Sequence, residues 1–378
     1  MPYSPENISA AERVLRAAAA LGLLALAALL LFRLFLSLRR RVRQRLSYTR
    51  SFSRSGTDAG GALTLTEEIV NPSFFPVFSF EIGFFVPAGL VVDGCEIPEK
   101  EQFSYVFSRF FLPPASRTVR THTVLARRRG RYLLSTAEAP LDRYTVRYFD
   151  APAELFVYPT PDRRVLLPRS ELFTAGERLL LRRFLPDPFL ASGLREYRYG
   201  DPVSRINFRA SARSLREGRR QLIVNEYDSS AGCSVMLLVN FSTDGTGVSD
   251  ADALARYIEG SLSVAAALLR ETVRAGGRIG FAANACPDAS PRPFLFHRPG
   301  GGKAQLLSVL RSLAEIARPT GYSFAALTER VLADLPPDAE LILLSAKRED
   351  LSPGRLARLR RRVRNVTALS ADRLFFAG

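Results

Sequence analysis

The sequence predicts a multidomain protein made of an N-terminal transmembrane helix, an all-β sandwich-like domain and a doubly wound α/β domain. Three observations predict this fold class. An uncharged apolar run lies near the N-terminus, short strands rich in Phe, Val and Tyr follow it, and strands alternate with helices from about residue 233 onward. A chain of 378 residues is long enough for two ordinary domains beyond an anchor, at about 100–200 residues per domain.

The anchor occupies residues 1–46. Residues 17–32 carry no charge, and the apolar pattern continues to Leu38. About 20 helical residues cross a hydrocarbon core of about 30 Å. A cleaved secretory signal is the rival interpretation, but arginines rather than small residues follow the apolar run. Because positive charge stays on the cytoplasmic side, the arginines of residues 33–50 predict a single span with the N-terminus outside and the soluble body in the cytoplasm.

The second part, residues 47–190, predicts a β-sandwich-like domain. Its strands are separated by turn signals such as Asn71-Pro72 and Pro113-Pro114, which are typical of short antiparallel strands. The predicted strands are residues 63–70, 77–86, 103–112, 118–126, 144–149 and 153–159.

The last part, residues 229–378, predicts the α/β domain. The run from Ser234 to Phe241 is almost entirely apolar, as expected of a strand buried on both faces. Amphipathic segments follow at 250–274 and 303–317, and a second apolar strand lies at 340–346. This alternation predicts a parallel sheet, whose ligands bind at the carboxyl ends of the strands, first at residues 240–244.

Composition restricts the function only in part. The formal net charge is +16 and the chain has two histidines, His122 and His297. Such a charge attracts anionic lipid, acidic protein surfaces or nucleic acid without choosing among them. Neither histidine lies in a recognisable catalytic motif, so we expect no enzymatic activity and no catalytic residues.

Between the two domains, residues 191–228 form an arginine-rich linking segment. Gly200 permits a tight turn, Asp201 is a good helix N-cap, and Pro202 suits the first helical position. The predicted helix then carries arginines at four-residue spacing, which form one basic stripe. These arginines are Arg205, Arg209 and Arg213.

This segment resembles the signature of the bacterial family known as domain of unknown function 58. Phe208 stands where the family has Trp, and the turn at residues 127–132 also resembles a family motif. The matching residues are Arg195, Glu196, Tyr197, Gly200, Asp201, Arg205, Ile206, Ala212 and Arg213. The resemblance implies a bacterial inner-membrane protein whose C-terminal domain is von Willebrand factor A-like and whose partner is a MoxR-type AAA+ ATPase.

Two departures from the family pattern matter. Relatives usually have two membrane helices, whereas one is evident here. The resemblance also implies a Mg²⁺ site, but the leading carboxylate has become an amide. Ser345-Ala346-Lys347 also stands where the family has Thr-Asp-Gly, so Lys347 would put a positive charge near the cation. The candidate ligands are Asn240, Ser242, Asp244 and Thr320. We therefore expect a degenerate metal site and no cofactor.

Several hypotheses follow from these observations. The signature arginines could pair with Glu196, Glu226 and Asp228, or they could form an exposed stripe for an acidic partner. The leading function is a membrane-anchored, non-enzymatic adaptor that acts with a MoxR-type AAA+ ATPase. The alternatives are a Mg²⁺-dependent ligand receptor and, with less support, a nucleic-acid-binding protein that uses the basic helix at residues 355–364.

Overall fold

The protein forms two compact units. The structure is a computed structural model, and we describe each unit by itself. The β unit contains Met1–Thr57, Gly61–Arg127 and Tyr132–Leu155, and the α/β unit contains Asp58–Gly60, Arg128–Arg131 and Phe156–Gly378. The described residues are 5–94, 102–141, 144–162, 191–198, 203, 206–216, 221–227, 234–243, 250–287, 290–336 and 339–370.

The elements have the following bounds. The helices are α1 (Pro5–Arg45), α2 (Phe208–Arg216), α3 (Ala251–Arg274), α4 (Gly302–Glu315), α5 (Phe324–Asp334) and α6 (Pro353–Arg360). The strands up to residue 158 are β1 (Ser47–Phe52), β2 (Gly56–Asp58), β3 (Ala62–Asn71), β4 (Val77–Pro87), β5 (Leu90–Val92), β6 (Phe103–Leu112), β7 (Ser116–Ala126), β8 (Gly130–Pro140) and β9 (Val146–Tyr158). The later strands are β10 (Ala191–Glu196), β11 (Ile223–Tyr227), β12 (Ser234–Asn240), β13 (Arg278–Ala283), β14 (Ala285–Cys286), β15 (Leu295–Gly300), β16 (Arg318–Pro319), β17 (Glu340–Ser345) and β18 (Asn365–Ser370).

Helix α1 is long and apolar enough to cross a membrane, with a mean hydropathy of 2.4 in its most apolar window. Its apolar side chains are exposed, whereas Val42 and Arg43 near its C-terminal end are buried. Val42 and Leu46 are buried, and Arg43 donates hydrogen bonds of 2.8 Å to the carbonyl oxygens of Ser79 and Leu141. The end of α1 is therefore part of the packed β unit.

Two antiparallel sheets face each other in the β unit, which confirms the prediction of a β-rich domain. One sheet has the order β1-β3-β7-β5 and the other β2-β9-β8-β4-β6. Aromatic rings of Tyr48 and Phe149 meet between the sheets at 5.5 Å. Strand β9 is continuous where two strands were predicted, since its alternating burial persists through Pro152.

A five-stranded sheet of order β15-β13-β12-β17-β18 forms the centre of the α/β unit. Strands β13, β12, β17 and β18 pair in parallel, and β15 pairs antiparallel at one edge. Alternate residues of β12 point to opposite faces. Val235 and Leu237 pack on α3 and α4, whereas Met236 and Leu238 pack on α5 and α6. The carboxyl ends of the parallel strands therefore meet at one edge of the sheet.

The linking segment forms an antiparallel strand pair, β10–β11. Helix α2, which lies between the two strands in the chain, packs against β11. The predicted helix is interrupted, because Ile206 makes a backbone bridge with Val224 and α2 begins at Phe208; the predicted start at Asp201 and Pro202 lies outside the described residues. Asn207 is the residue that caps α2, since its Oδ1 accepts a 3.0 Å hydrogen bond from the backbone NH of Ala210. Strand pairing with β11 thus holds Ile206, and α2 starts directly after Asn207.

Candidate functional site

An open groove of about 500 Å³ lies beside α2 in the α/β unit. It is built from three pieces of the linking segment: the end of β10, the exposed face of α2 and the start of β11. Its lining residues are Leu194, Glu196, Asn207, Arg209, Ala210, Arg213, Ser214, Gln221 and Ile223. We call this feature the basic groove. Three predicted signature residues, Glu196, Arg209 and Arg213, therefore come together in one place.

The arginines face outward because the opposite side of α2 is fixed to β11. Ser211 is buried, and its Oγ accepts a 2.8 Å hydrogen bond from the backbone NH of Ile223. Residues four apart share a helix face, so Arg209 and Arg213 project together, and both are exposed. Among the described residues neither guanidinium forms a salt bridge, which leaves two adjacent positive charges available at the groove.

The other signature residues have structural roles or lie outside the described part. Arg195 donates to the carbonyl oxygen of Glu196 at 3.1 Å, and the NH of Tyr197 bonds to the carbonyl of Leu222 at 2.8 Å. The side chain of Phe208 is 71% exposed, so it fills no core position in its own unit. Gly200, Asp201, Arg205, Asp228 and the Glu226 side chain lie outside the described residues.

The carboxyl edge of the five-stranded sheet holds a buried polar network. Asn240, at the end of β12, donates to Asp350 Oδ2 at 2.6 Å and to Ser345 Oγ at 3.3 Å. Ser345 also donates to Asp350, at 2.7 Å. Asn284 follows β13 and donates to Asn240 Oδ1 at 2.8 Å. The guanidinium of Arg355 completes the network with a 2.6 Å contact to Asp350 Oδ1.

These residues do not fit a Mg²⁺ ion. Such a cation needs near-octahedral oxygen ligands, but the oxygens here already accept protein hydrogen bonds. Asn240 Oδ1 accepts from Asn284 and from the backbone NH of Ser242, and the Thr320 hydroxyl donates to the carbonyl of Asn284 at 3.0 Å. Asp350 carries the only carboxylate among the described residues of the network. The positive charge of Arg355 already lies against it, where a metal cation would have to bind. Asp244 lies outside the described residues.

Sequence reasoning did not find Asn284, Asp350 or Arg355. Asn284 comes directly after β13, which is a position that a parallel sheet brings to the same edge as Asn240. Asp350 lies in the turn after β17, and Arg355 lies in the helix α6 that follows. The only sequence signal for their place at the carboxyl edge is that both come shortly after the end of a predicted strand. Within the described residues no group of three or more His, Cys, Asp or Glu side chains could hold a metal ion.

A second buried cluster lies between the two sheets of the β unit. Glu67 is fully buried and accepts hydrogen bonds from Tyr48 at 2.7 Å and from Ser108 at 2.6 Å. His122 Nε2 lies 2.5 Å from the same carboxylate, and its Nδ1 lies 2.6 Å from Asp93 Oδ2. The imidazole is therefore held between two carboxylates.

The two carboxylates decide the charge of the imidazole. The hydrogen bond to Glu67 raises the pKa of His122, burial opposes this, and Asp93 adds to it. Burial works against ionisation of Glu67, but hydrogen bonds from His122, Ser108 and Tyr48 lower its pKa overall. These directions favour a buried imidazolium between ionised carboxylates.

The cluster contains Ser, His and Asp side chains but is not arranged as a hydrolase triad. Ser108 Oγ lies 3.2 Å from His122 Nε2, yet its hydroxyl donates to Glu67 at 2.6 Å. The Ser108 side chain is also fully buried, so no substrate can reach it. A nucleophile needs an accessible hydroxyl next to a free base, and this arrangement offers neither.

Arg129, in the turn at residues 127–132, caps the C-terminus of α4 in the α/β unit. Its Nη1 contacts the carbonyl oxygens of Leu313, Ala314 and Ile316 at 3.2, 3.2 and 2.6 Å. These carbonyls lie at the C-terminus of α4, where orphan acceptors and the helix dipole favour a cation. A salt bridge of 2.9 Å to Glu259 also holds the guanidinium. The family-like turn thus contributes a helix cap.

Comparison with protein-family models and with curated proteins finds no match. Three solved structures each match less than a third of the chain. The CARDB domain of a Pyrococcus furiosus protein is 15% identical, with 30% of this chain and 86% of that chain covered and a TM-score of 0.21. A type I cohesin from Pseudobacteroides cellulosolvens is 13% identical, with 31% and 95% covered and a TM-score of 0.20. A Pseudomonas fluorescens alkylpurine DNA glycosylase is 10% identical, with 30% of each chain covered and a TM-score of 0.20.

Proposed function

We propose that this chain is a membrane-anchored, non-enzymatic adaptor that binds an acidic surface of a protein partner through the basic groove. The observation that carries the proposal is the pair Arg209 and Arg213, both exposed and neither in a salt bridge among the described residues. Arginine forks recognise carboxylates in a bidentate manner. The resemblance in the linking segment nominates a MoxR-type AAA+ ATPase as that partner.

In this proposal α1 is a single-pass anchor of the bacterial inner membrane. Support comes from the helix itself, which continues from the apolar run through the arginines to Arg45 without a break. A signal peptidase would need an accessible small-residue site after the apolar run. The arginines after Leu38 favour a cytoplasmic body, where an ATPase would be within reach.

The proposal also treats the α/β unit as von Willebrand factor A-like with a non-metal carboxyl edge. The strand order with one antiparallel edge strand and helices on both faces is consistent with that assignment. In such sheets the carboxyl edge is the usual ligand site. Here the network of Asn240, Ser345 and Asp350 already occupies it, so partner binding is assigned to the groove and not to a Mg²⁺ ion.

The test is co-purification from native membranes. The detergent-solubilised full chain is used as bait under nucleotide-trapping conditions, and we compare Arg209→Ala/Arg213→Ala with Arg256→Ala/Arg330→Ala. The control pair removes the same charge from exposed positions on α3 and α5. We expect an AAA+ ATPase to be recovered with wild type and control, and recovery to fall about tenfold or more for the groove pair, since charged interface contacts contribute roughly 2 kcal/mol or more. Failure to recover any AAA+ ATPase, or equal recovery with both pairs, contradicts the proposal.

A further inference from the structure

Five exposed aromatic side chains project from one end of the β unit. They are Phe74, Phe75, Phe78, Phe111 and Tyr144, and each is more than half exposed. We call them the aromatic rim. A monomeric soluble surface rarely groups so many large apolar side chains, and no core position of the β unit requires them.

Strand register brings the rim residues to the same end. Val77, at the start of β4, is opposite Leu112, at the end of β6, and the rings of Phe78 and Phe111 lie 5.8 Å apart. Gly83 is opposite Glu138 in the antiparallel pair β4–β8. The turn after β8, which contains Tyr144, therefore reaches the level of the start of β4.

The end of α1 is fixed to these same segments. Arg43 donates to the carbonyl oxygen of Ser79, next to Phe78, and to that of Leu141, three residues before Tyr144. Arg147 in turn donates to the carbonyl oxygen of Arg43 at 2.9 Å. These three hydrogen bonds, one buried and two partly buried, leave little freedom between the helix and the rim, so the position of one determines the position of the other.

The level of the rim can be calculated from the helix. The apolar run ends at Leu38. Arg40, which donates to Thr145 Oγ1 next to Tyr144 at 3.4 Å, is about 3 Å further along the helix, and Arg43 is about 7.5 Å further, at 1.5 Å per residue. The polar headgroup region on each side of a bilayer is about 5–7.5 Å thick, from half the difference between the total thickness and the hydrocarbon core. The rim therefore lies at headgroup level if α1 crosses the membrane.

We infer that the aromatic rim is embedded in the headgroup layer of the membrane that α1 crosses. Aromatic side chains favour this layer, and the exposed arginines Arg39, Arg40 and Arg41, which directly follow the apolar run of α1, match anionic lipid headgroups. Lipid is the occupant because Arg40 and Arg43, within five residues of the end of the apolar run, donate hydrogen bonds to Thr145 and Ser79, the chain neighbours of Tyr144 and Phe78. This inference rests on the proposed anchor and adds a second membrane contact, made by the folded β unit itself.

The chain contains no Trp, so single Trp substitutions report on one site each. We compare Phe111→Trp, in the rim, with Phe103→Trp, at the other end of β6. Both side chains are 53% exposed and, being eight residues apart, point to the same face of the strand. The distance between them along β6 is about 26 Å at roughly 3.3 Å per residue. Each full-length variant is reconstituted in proteoliposomes whose lipids are brominated near the upper end of the acyl chains.

We expect bromine to quench Phe111→Trp at least about threefold more than Phe103→Trp, since only the rim reaches the interface. Phe78→Trp gives an independent rim position if Phe111→Trp does not fold. Equal, weak quenching at the rim and at Phe103 overturns the inference. A blue-shifted emission of the rim Trp without bromine quenching also overturns it, because the rim would then be covered by protein and not by lipid. Leu36→Trp, near the end of the apolar run of α1 and at the level of the bromines, separates the two proposals. If Leu36→Trp is not quenched, the anchor is contradicted; if it is quenched and the rim positions are not, only the rim inference is contradicted.

Discussion

Glu67→Gln is the substitution that tests the buried cluster of the β unit most directly. The carboxylate is fully buried, and its oxygens lie 2.5–2.7 Å from the polar atoms of Tyr48, Ser108 and His122, from which they accept hydrogen bonds. A glutamine keeps one acceptor but loses two charge-assisted hydrogen bonds, each contributing roughly 1.5–3 kcal/mol. Since His122 can release its proton and relieve part of the loss, we expect the β unit to lose about 3 kcal/mol of unfolding free energy.

Glu68→Gln is the matched control, because the neighbouring side chain points to the other face of β3. Its partner Arg117 is 2.6 Å away, but the arginine side chain is 65% exposed. Exposed ion pairs contribute about 0–1 kcal/mol. Both substitutions therefore remove one negative charge, at adjacent positions of β3, and they differ only in the burial and the partners of the carboxylate.

The assay is hydrogen exchange of the full-length protein in detergent, followed by mass spectrometry. The slowest amides of β3 and β7 report the opening free energy of the β unit. A loss of about 3 kcal/mol corresponds to roughly 100-fold faster exchange, at 1.4 kcal/mol per tenfold. Peptides of α3 serve as an internal reference. Equal acceleration of β3 and β7 by both variants would refute a special role for the buried carboxylate.

Three further predictions concern pH, the carboxyl edge and the helix cap. Because the pKa of His122 is raised above its ordinary 6.5, its stabilisation is fully present below pH 6.5 and is lost as pH rises through the raised value. The melting temperature of the β unit should therefore fall as the solution becomes alkaline. Asp350→Ala should lower the unfolding free energy of the α/β unit by about 2–4 kcal/mol, because it leaves Asn240 and Arg355 without their acceptor. Arg129→Ala should cost about 2–3 kcal/mol through the uncapped carbonyls of α4, whereas Arg131→Ala, at a half-exposed pair with Glu315, should cost less than about 1 kcal/mol.

Each of these predictions has a simple measurement and a contrary result. Circular dichroism melting of wild type and His122→Asn between pH 6 and 9 tests the first, and an identical slope in both proteins contradicts it. Calorimetry of the Asp350 variant, with and without Mg²⁺, tests the second; a large Mg²⁺-dependent stabilisation of wild type would show that a cation displaces Arg355. Urea unfolding of the Arg129 and Arg131 variants tests the third, and equal midpoints would remove the assigned cap.

The features that local hydropathy determines were predictable from the sequence. The apolar helix stands out because uncharged residues follow one another from Ala17 to Phe32. Most strands of the β unit are recognisable because inward apolar residues alternate with polar ones, as in β3. Strand β8 was missed because its turn arginines and small residues interrupt that pattern.

The features that depend on distant pairing were not predictable. Asn207 caps α2 because the bridge between Ile206 and Val224 holds the preceding residue in a strand pairing, and nothing local in the sequence indicates that bridge. Glu67 lies at an inward position between Leu65 and Ile69, which marks it as a buried charge, but nothing local names His122 as its partner. The remaining signature positions, Gly200, Asp201 and Arg205, and the predicted domain boundaries stay predictions.

The buried end of α1 has a mechanical consequence. Helix and sandwich are joined without a flexible linker, since Val42, Arg43 and Leu46 belong to the packed interior of the β unit. If α1 spans the membrane as proposed, it tilts by about 20° on average, and any tilt or axial rotation of the helix turns the whole sandwich with it. The bilayer thickness would then set the orientation of the β unit, and a force applied to that unit would be transmitted to the lipid.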